Sequence, residues 1–497
     1  MDKFEVLRLL NFGQRVAEDE SDLLQSYFVE TDHWHRVYSG DVDVIYGPKG
    51  SGKSALYSLL VARQTEMFDR KVILAPAENT RGTPVFRDLV TDPPTSEREF
   101  VGLWKLLFAS LLHSIFADYG LSGVEVKRLE TALTNEGLIR GKLSLQGLLQ
   151  AVRDYVRRVI HPQSFEATII SSLGQPQMVW TGKITFSEPS AEEAKTGSLS
   201  VDQLLSLAND ALKTNSNYSV WILLDRLDVA FADNIDLEQN ALRALFRVYL
   251  DMLSLSNIRL KIFLRTDIWR RIAAGGFREA SHIIRAMTID WNRTSLLNLA
   301  VRRAIHNISL QQYYDTTPQM VLASSQSQEQ FFYKMCPTQV DIGRKKPPTF
   351  EWILGRTKDS SGKNAPRELI HLLNCARDVQ IRRHELGETP PDNELLFVGA
   401  AFKQALPEVS RVRLTQTLYA EYPSLCAPLE KLRKSKTQHT LATLSTIWKT
   451  SGEETERIAG ELTEAGFFEQ RGPREVAQYK VPFLYRDALE LIQGSAE

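Results

Sequence analysis

The run Gly47-Pro48-Lys49-Gly50-Ser51-Gly52-Lys53-Ser54 constrains this chain more than any other feature, because it fits G-x-x-x-x-G-K-[ST] in the setting that pattern requires. The apolar VDVIY before it reads as a buried strand, and SALYSLLVARQ after it reads as a helix. Glycines permit the positive-φ turns that aim successive backbone N–H groups inward at phosphate, and a helix N-terminus adds partial positive charge. The spacing therefore predicts a nucleoside triphosphate, ATP in the first place, held by main-chain amides. Lys53 is expected at the β and γ phosphates, and the Ser54 hydroxyl on Mg²⁺. Gly47, Pro48, Lys49, Gly50, Ser51, Gly52, Lys53, Ser54 and Ala55 are the nucleotide-contact candidates. The competing reading is a glycine-rich strand-to-helix turn that binds nothing.

The surrounding pattern predicts an α/β fold. Residues 41–75 alternate strand, loop, helix and strand, which is the grammar of a parallel sheet. The sheet resumes with VWILLD and, after the helix LEQNALRALFRVYLDML, with LKIFLRTD, both short apolar runs suited to buried strands. Between them, residues about 96–198 read as a helical insertion. It opens at Ser96 and Glu99, a capping-box pair, and its first helix is too apolar to be exposed. MVWTGKITFS, later in the insertion, predicts a short hairpin. Residues 291–395 have helical periodicity with proline breaks. The last hundred residues read helix (about 441–449), helix (about 453–465), strand, turn, strand, the order of a winged helix. The expected divisions are 1–35, 36–290, 291–395 and 396–497.

VWILLD ends in Asp225, and Asp228 follows in the next turn. On a strand neighbouring that of the phosphate loop, Asp225 is expected at the C-terminal sheet edge as the partner of Mg²⁺. Asp267 ends the following strand, where a polar γ-phosphate sensor is expected, so Arg265, Thr266 and Asp267 are sensor candidates. Arg226 stands where many hydrolytic relatives place a second acid, which predicts slow turnover. Asp228 reads equally as a general base one turn on or as a structural acid paired with Arg226 or Arg265.

Composition bounds the rest. The 497 residues carry 60 Lys plus Arg against 61 Asp plus Glu, so no overall charge draws the chain to nucleic acid or anionic lipid. Three scattered cysteines without a CxxC pair suggest neither disulfides nor a zinc site, and read as inert thiols in a reducing cytosol. The N-terminus has no leader pattern, and no stretch reads as the ~20 apolar residues of a membrane span. A cytoplasmic protein without membrane contact is expected.

Several segments together resemble a family of bacterial P-loop ATPases with an L-I-D-R-L-D-type Walker B. These are Phe12-Gly13, Ala17-Glu18-Asp19-Glu20, Tyr27-Phe28-Val29-Glu30-Thr31, GSGKSAL, LLDRLD and FLRTDIW. That family is related to the STAND and origin-recognition-type AAA+ ATPases. The resemblance implies a P-loop NTPase three-layer sandwich with a helical lid and a C-terminal winged helix. It implies Lys53, Asp225 and Asp228 as the catalytic set, Ser54 and Asp225 at the metal, and Thr266 at the sensor strand. Asn364-Ala365-Pro366-Arg367 is similar to the lid motif of such ATPases, which makes Arg367 a nucleotide sensor, although a helix start after proline explains it as simply. Arg270, Arg271 and Arg285 are arginine-finger candidates on the same ground. The implied function is an ATP-gated, slowly hydrolysing switch, plausible in bacterial anti-phage defence. Its partners would be further copies of itself and a separately encoded effector.

Two alternatives stay open: a DNA-binding ATPase of the origin-recognition or loader kind, and a nucleotide-binding scaffold without turnover. Against the first, the expected recognition helix carries Glu453, Glu454, Glu456, Glu461 and Glu464 against Arg457, and duplex phosphates repel such a surface. Only Lys431, Arg433, Lys434 and Lys436 just before it are basic. DNA is thus possible and not favoured. No LSGGQ-like signature points to a transporter, and no nuclease, protease or NADase constellation stands out.

Overall fold

The computed structural model describes residues 2–14, 28–77, 96–139, 144–160, 184–190, 198–227, 235–473 and 477–496. The chain forms two compact units. One comprises Asp32–Gly47 and Lys53–Ile289; the other comprises Met1–Thr31, Pro48–Gly52 and Asp290–Glu497.

The first unit is built on a five-stranded parallel sheet. Its strands are β1 (Val44–Gly47), β2 (Val72–Pro76), β3 (Ser219–Leu224), β4 (Ile258–Arg265) and β5 (Ala286–Thr288), in the spatial order β2-β3-β4-β1-β5. The first four coincide with the apolar runs read from the sequence. β4 lies between β1 and β3, so Asp225 is not on a strand neighbouring β1, contrary to the sequence expectation. The reason is β4 itself, the longest of the five strands, with six of its eight residues buried, which gains most from a central position. The short β5 also escaped the sequence reading; three residues are too few to show a period.

The helical stretch after residue 96 joins this core. Ser96 caps helix Glu97–Asp118, accepting the Glu99 N–H at 3.3 Å and donating to the Glu99 carboxylate at 3.1 Å. The helix packs against Val201–Thr214 and Ile235–Met252, and the Trp104 indole donates to the Ala241 carbonyl at 2.9 Å. This 22-residue helix holds an 18-residue stretch of mean hydropathy 1.6, long and apolar enough to cross a membrane, which corrects the sequence expectation of no such stretch. That stretch is 72% buried, so its apolar surface is used in the core. Of the expected hairpin over 178–187, residues 178–183 lie outside the described residues. Ile184–Thr185 pairs in parallel with Leu199–Ser200, which is not hairpin pairing.

A buried ionic cluster ties the residues just before β1 and β5 to the middle of β4. Lys261, 0% exposed, donates to Asp43 Oδ1 at 2.8 Å, and Arg285 Nε donates to Asp43 Oδ2 at 2.6 Å. The Lys261 ammonium also lies 4.2 Å from the Trp221 ring centroid. Burial, aided by the Arg259 and Arg285 charges, pushes the Lys261 ammonium down to about 8 from 10.5, against the opposing pull of Asp43. Between those two values the unfolded chain binds more protons than the folded one, so this group makes stability rise with pH from about 8. Above about 10 the raised Tyr249 phenol works in the opposite direction, because there the unfolded chain loses a proton that the fold keeps. Urea melts across this window should show the rise in the parent chain and not in Lys261→Met; equal slopes would show that Lys261 is charged normally.

The second unit is mainly helical. Its N-terminal helix Lys3–Leu9 packs on helix Pro366–Glu385, and the segment after it is tied down by Arg303 to the Phe12 carbonyl at 2.8 Å and Asn374 to the Gly13 carbonyl at 2.8 Å. Its C-terminal part runs strand Lys436–Thr440, helix Leu441–Trp448, helix Gly452–Glu464, and strands Glu469–Arg471 and Gln478–Lys480. These two strands and Lys436–Thr440 pair antiparallel, and Ile492–Ser495 adds a parallel edge. The helices and strands expected there are present. Cys336 is buried, which pushes its thiol well above the usual range, so it is inert.

Candidate functional site

The C-terminal ends of the parallel strands gather the polar residues singled out from the sequence. In register, Gly47 at the end of β1 faces Arg265 at the end of β4, and Leu224 on β3 faces Ile262 on β4. Asp225 therefore leaves the sheet at the same edge, 4% exposed. Arg226 follows with φ 57°, a left-handed conformation unusual for a side-chain-bearing residue, and turns the chain sharply away from the strand. Asp228 lies outside the described residues.

Helix Lys53–Ala62 starts directly at the pattern's lysine and buries Leu56, Tyr57, Leu59 and Leu60 against the sheet unit. Lys53 Nζ donates to the Gly47 carbonyl at 2.8 Å, so the ammonium spans the two ends of the loop. Ser54 and Ala55 occupy the first turn of this helix and are half-buried. Beyond β4, Arg265 grips Asp267 with two bonds, Nε to Oδ1 at 3.1 Å and Nη2 to Oδ2 at 2.7 Å. Burial opposes ionisation of Asp267, but the Arg265 charge and hydrogen bonds outweigh it and hold the carboxyl below the usual range. Thr266, between them, has a buried hydroxyl without a hydrogen-bond partner among the described residues.

The loop residues Pro48–Gly52 are arranged by the helical unit with which they group. Ser51 N–H donates to the Pro48 carbonyl at 3.2 Å, closing a turn. Gly50 and Gly52 adopt φ +79° and +98°. A Cβ on Gly50 would also approach the Arg367 Cβ to 3.0 Å, so glycine is required there by conformation and by space. Arg367 sits in the first turn of helix Pro366–Glu385, which starts at the proline as the simpler sequence reading has it, and its Nε is buried without a hydrogen-bond partner among the described residues. Lys49 pairs with Glu421. The Trp291 indole donates to the Ser51 carbonyl at 2.8 Å.

The residues present fit a phosphate-bearing ligand. The Ser51 hydroxyl, 1% exposed, is a second buried oxygen without a partner among the described residues. Leaving such a group unsatisfied costs about 1–3 kcal/mol, which a bound polar ligand removes. Ser54 and Asp225 supply the hard oxygen donors that Mg²⁺ prefers. Of the arginine-finger candidates, Arg271 pairs with Glu238 at 2.7 Å and Arg285 with Asp43, both inside their own unit. Neither pairing is visible in a linear sequence. Sequence reasoning also missed Trp291 and Glu421. The only signal for Trp291 was its place two residues after Ile289, whose N–H extends the β5 pairing to the Tyr46 carbonyl at 2.7 Å.

No family model matches the chain, and no curated protein matches it. Among solved structures it is similar to the Aeropyrum pernix ORC2 protein, solved as ADPNP-ADP complexes. The match covers 95% of this chain and 94% of that one, at 11% identity and a TM-score of 0.30. A superposition that loose carries no argument about fold or function.

Proposed function

We propose that this protein binds ATP with Mg²⁺ through the loop Gly47–Ser54 and works as a slowly hydrolysing regulatory switch of the STAND/AAA+ kind. The observation that carries the reading is the loop itself. It leaves a buried parallel strand, enters a helix at Lys53, has two left-handed glycines, and keeps a buried Ser51 hydroxyl without a hydrogen-bond partner among the described residues. Lys53 and the loop amides bind the phosphates, and Ser54 and Asp225 hold the metal. Mg²⁺ supplies charge neutralisation across the phosphates. Thr266 is the proposed γ-phosphate sensor, its buried hydroxyl without a hydrogen-bond partner among the described residues, and Arg367 is the nucleotide sensor that the resemblance implies. Asp228 is the proposed base.

The division into a P-loop core, a helical lid and a winged helix belongs to the same proposal, as do self-assembly and a separate effector in anti-phage defence. The strand, helix, helix, strand, strand order of residues 436–480 supports the winged helix. In its second helix, Arg457 is bound to Glu454 at 2.6 Å and also to Glu461, which leaves that face acidic and suits a protein contact better than a phosphate backbone. A DNA-handling role is the second reading. It draws on the exposed run Arg344-Lys345-Lys346, presented on a turn that Gln339 fastens to the Lys346 carbonyl at 2.7 Å.

Calorimetry of the full chain tests the main reading: saturable uptake of ATP and ADP in the presence of Mg²⁺ is expected, and no uptake by folded protein would refute it. Duplex DNA titrated at rising salt tests the second; binding insensitive to salt, or none, disposes of it.

A further inference from the structure

The phosphate loop is restrained by a side chain that no phosphate-loop pattern contains. The Trp291 indole N–H donates to the Ser51 carbonyl at 2.8 Å, across 240 positions of sequence, and the Trp291 ring passes 4.0 Å from where a Cβ on Gly52 would stand. Trp291 is half-buried and packs on the core of the helical unit, so the indole is a fixed anchor for the Ser51 carbonyl. The consequence follows from peptide geometry. In a planar trans peptide the carbonyl and the amide N–H point in opposite directions, so fixing the Ser51 carbonyl also fixes the direction of the Gly52 N–H. That N–H belongs to the amide next to Lys53 and points away from the indole.

Glycine makes this restraint necessary. Gly52 at φ +98° follows a turn closed by the Ser51 N–H to Pro48 carbonyl bond, and glycine tolerates both signs of φ at nearly equal cost. Without an anchor, the Ser51-Gly52 peptide can rotate and present its carbonyl oxygen where an N–H is needed. An oxygen aimed at a phosphate repels it, whereas an N–H attracts it. The same loop keeps Lys53 Nζ on the Gly47 carbonyl, so the cation is held while the adjacent amide is oriented separately.

We propose that Trp291 is a positioning residue for phosphate binding: its indole N–H holds the Ser51-Gly52 peptide in the orientation that offers the Gly52 N–H to the β and γ phosphates. This rests on the nucleotide-binding reading of the loop and adds a determinant of affinity outside the loop pattern.

The test uses the full chain with Trp291→Phe, and in parallel with Trp291 replaced by benzothienylalanine, which keeps the indole shape and removes only the N–H. Calorimetry measures ATP, ADP and AMP, each with Mg²⁺. Loss of one neutral hydrogen bond predicts ATP and ADP binding about threefold to tenfold weaker in both variants, with AMP unchanged. Should Trp291→Phe fail to fold, the benzothienylalanine chain decides alone. Unchanged ATP and ADP affinities in the isosteric variant overturn the proposal, and so does an equal loss for AMP, which marks a merely structural indole. If the parent chain takes up no nucleotide, the reading of the loop fails as well; if it does and the isosteric variant matches it, only the role of Trp291 fails.

Discussion

Lys53→Ala is expected to weaken Mg-ATP binding by roughly 10- to 150-fold, because a hydrogen bond to a charged group contributes about 1.5–3 kcal/mol and each 1.4 kcal/mol is a factor of ten. In the structure the ammonium bridges to the Gly47 carbonyl, which places it inside the loop, and the side chain is only half-buried. The fold should therefore tolerate its removal. Lys53→Arg is not expected to rescue binding, since a planar, five-donor fork does not fit where a compact point charge is held. Thermal melts give a second readout. Ligand at about a hundred times Kd stabilises a protein by about 2.7 kcal/mol, and a variant that binds roughly 10- to 150-fold more weakly keeps only about 1.4 to 0.3 kcal/mol of this at the same concentration, so the nucleotide-dependent rise in Tm should fall by about half or more. An Ala variant that binds Mg-ATP as tightly as the parent would remove Lys53 from the site.

Trp104→Ala should produce the largest loss of stability, about 3–5 kcal/mol, the range for deleting a large buried aromatic side chain. Trp104 is 0% exposed, stacks on Phe108 with ring centroids 5.9 Å apart, and donates to the Ala241 carbonyl on the helix it packs against. Its removal opens a cavity at the junction of Glu97–Asp118 and Ile235–Met252, the helix that connects towards β4. With domain stabilities of about 5–15 kcal/mol, the sheet unit would be left marginal. Trp104→Phe keeps most of the ring and should cost less. Urea melts followed by circular dichroism measure both; a shift worth under about 1 kcal/mol for the Ala variant would mean that the neighbouring helices close the gap.

Much of the candidate site was legible because its geometry is local. Gly47 to Ser54 is one contiguous segment, its conformation depends on glycine at fixed spacing, and the flanking apolar runs declare strand and helix by composition. Asp225 and Thr266 were legible for a related reason: a parallel strand ends where its apolar run ends, and a polar residue there must lie at the sheet edge. Strand order was not legible. Which strand lies between β1 and β3 depends on competing pairings among runs of similar composition, and β4 takes that position through its length and the burial of six of its eight residues. The apolar helix Glu97–Asp118 shows the converse limit. Its composition alone is compatible with a lipid setting, and its packing inside the unit accounts for that apolar surface.

The sequence by itself determined the glycine-rich strand-to-helix loop, four of the five strands of the parallel sheet, and the succession of helices and strands over residues 436–480, because each depends on residues within a few positions of one another. Only the tertiary structure decided what touches that loop: Arg367 over Gly50, Glu421 on Lys49 and Trp291 on Ser51, each more than two hundred positions away. It also decided that Lys3–Leu9 folds with the C-terminal helices and that Asp43, Lys261 and Arg285 form one buried cluster. Contacts of that kind are fixed by shape and charge complementarity between distant surfaces. No local period or spacing encodes them, so they exist only once the chain has closed on itself.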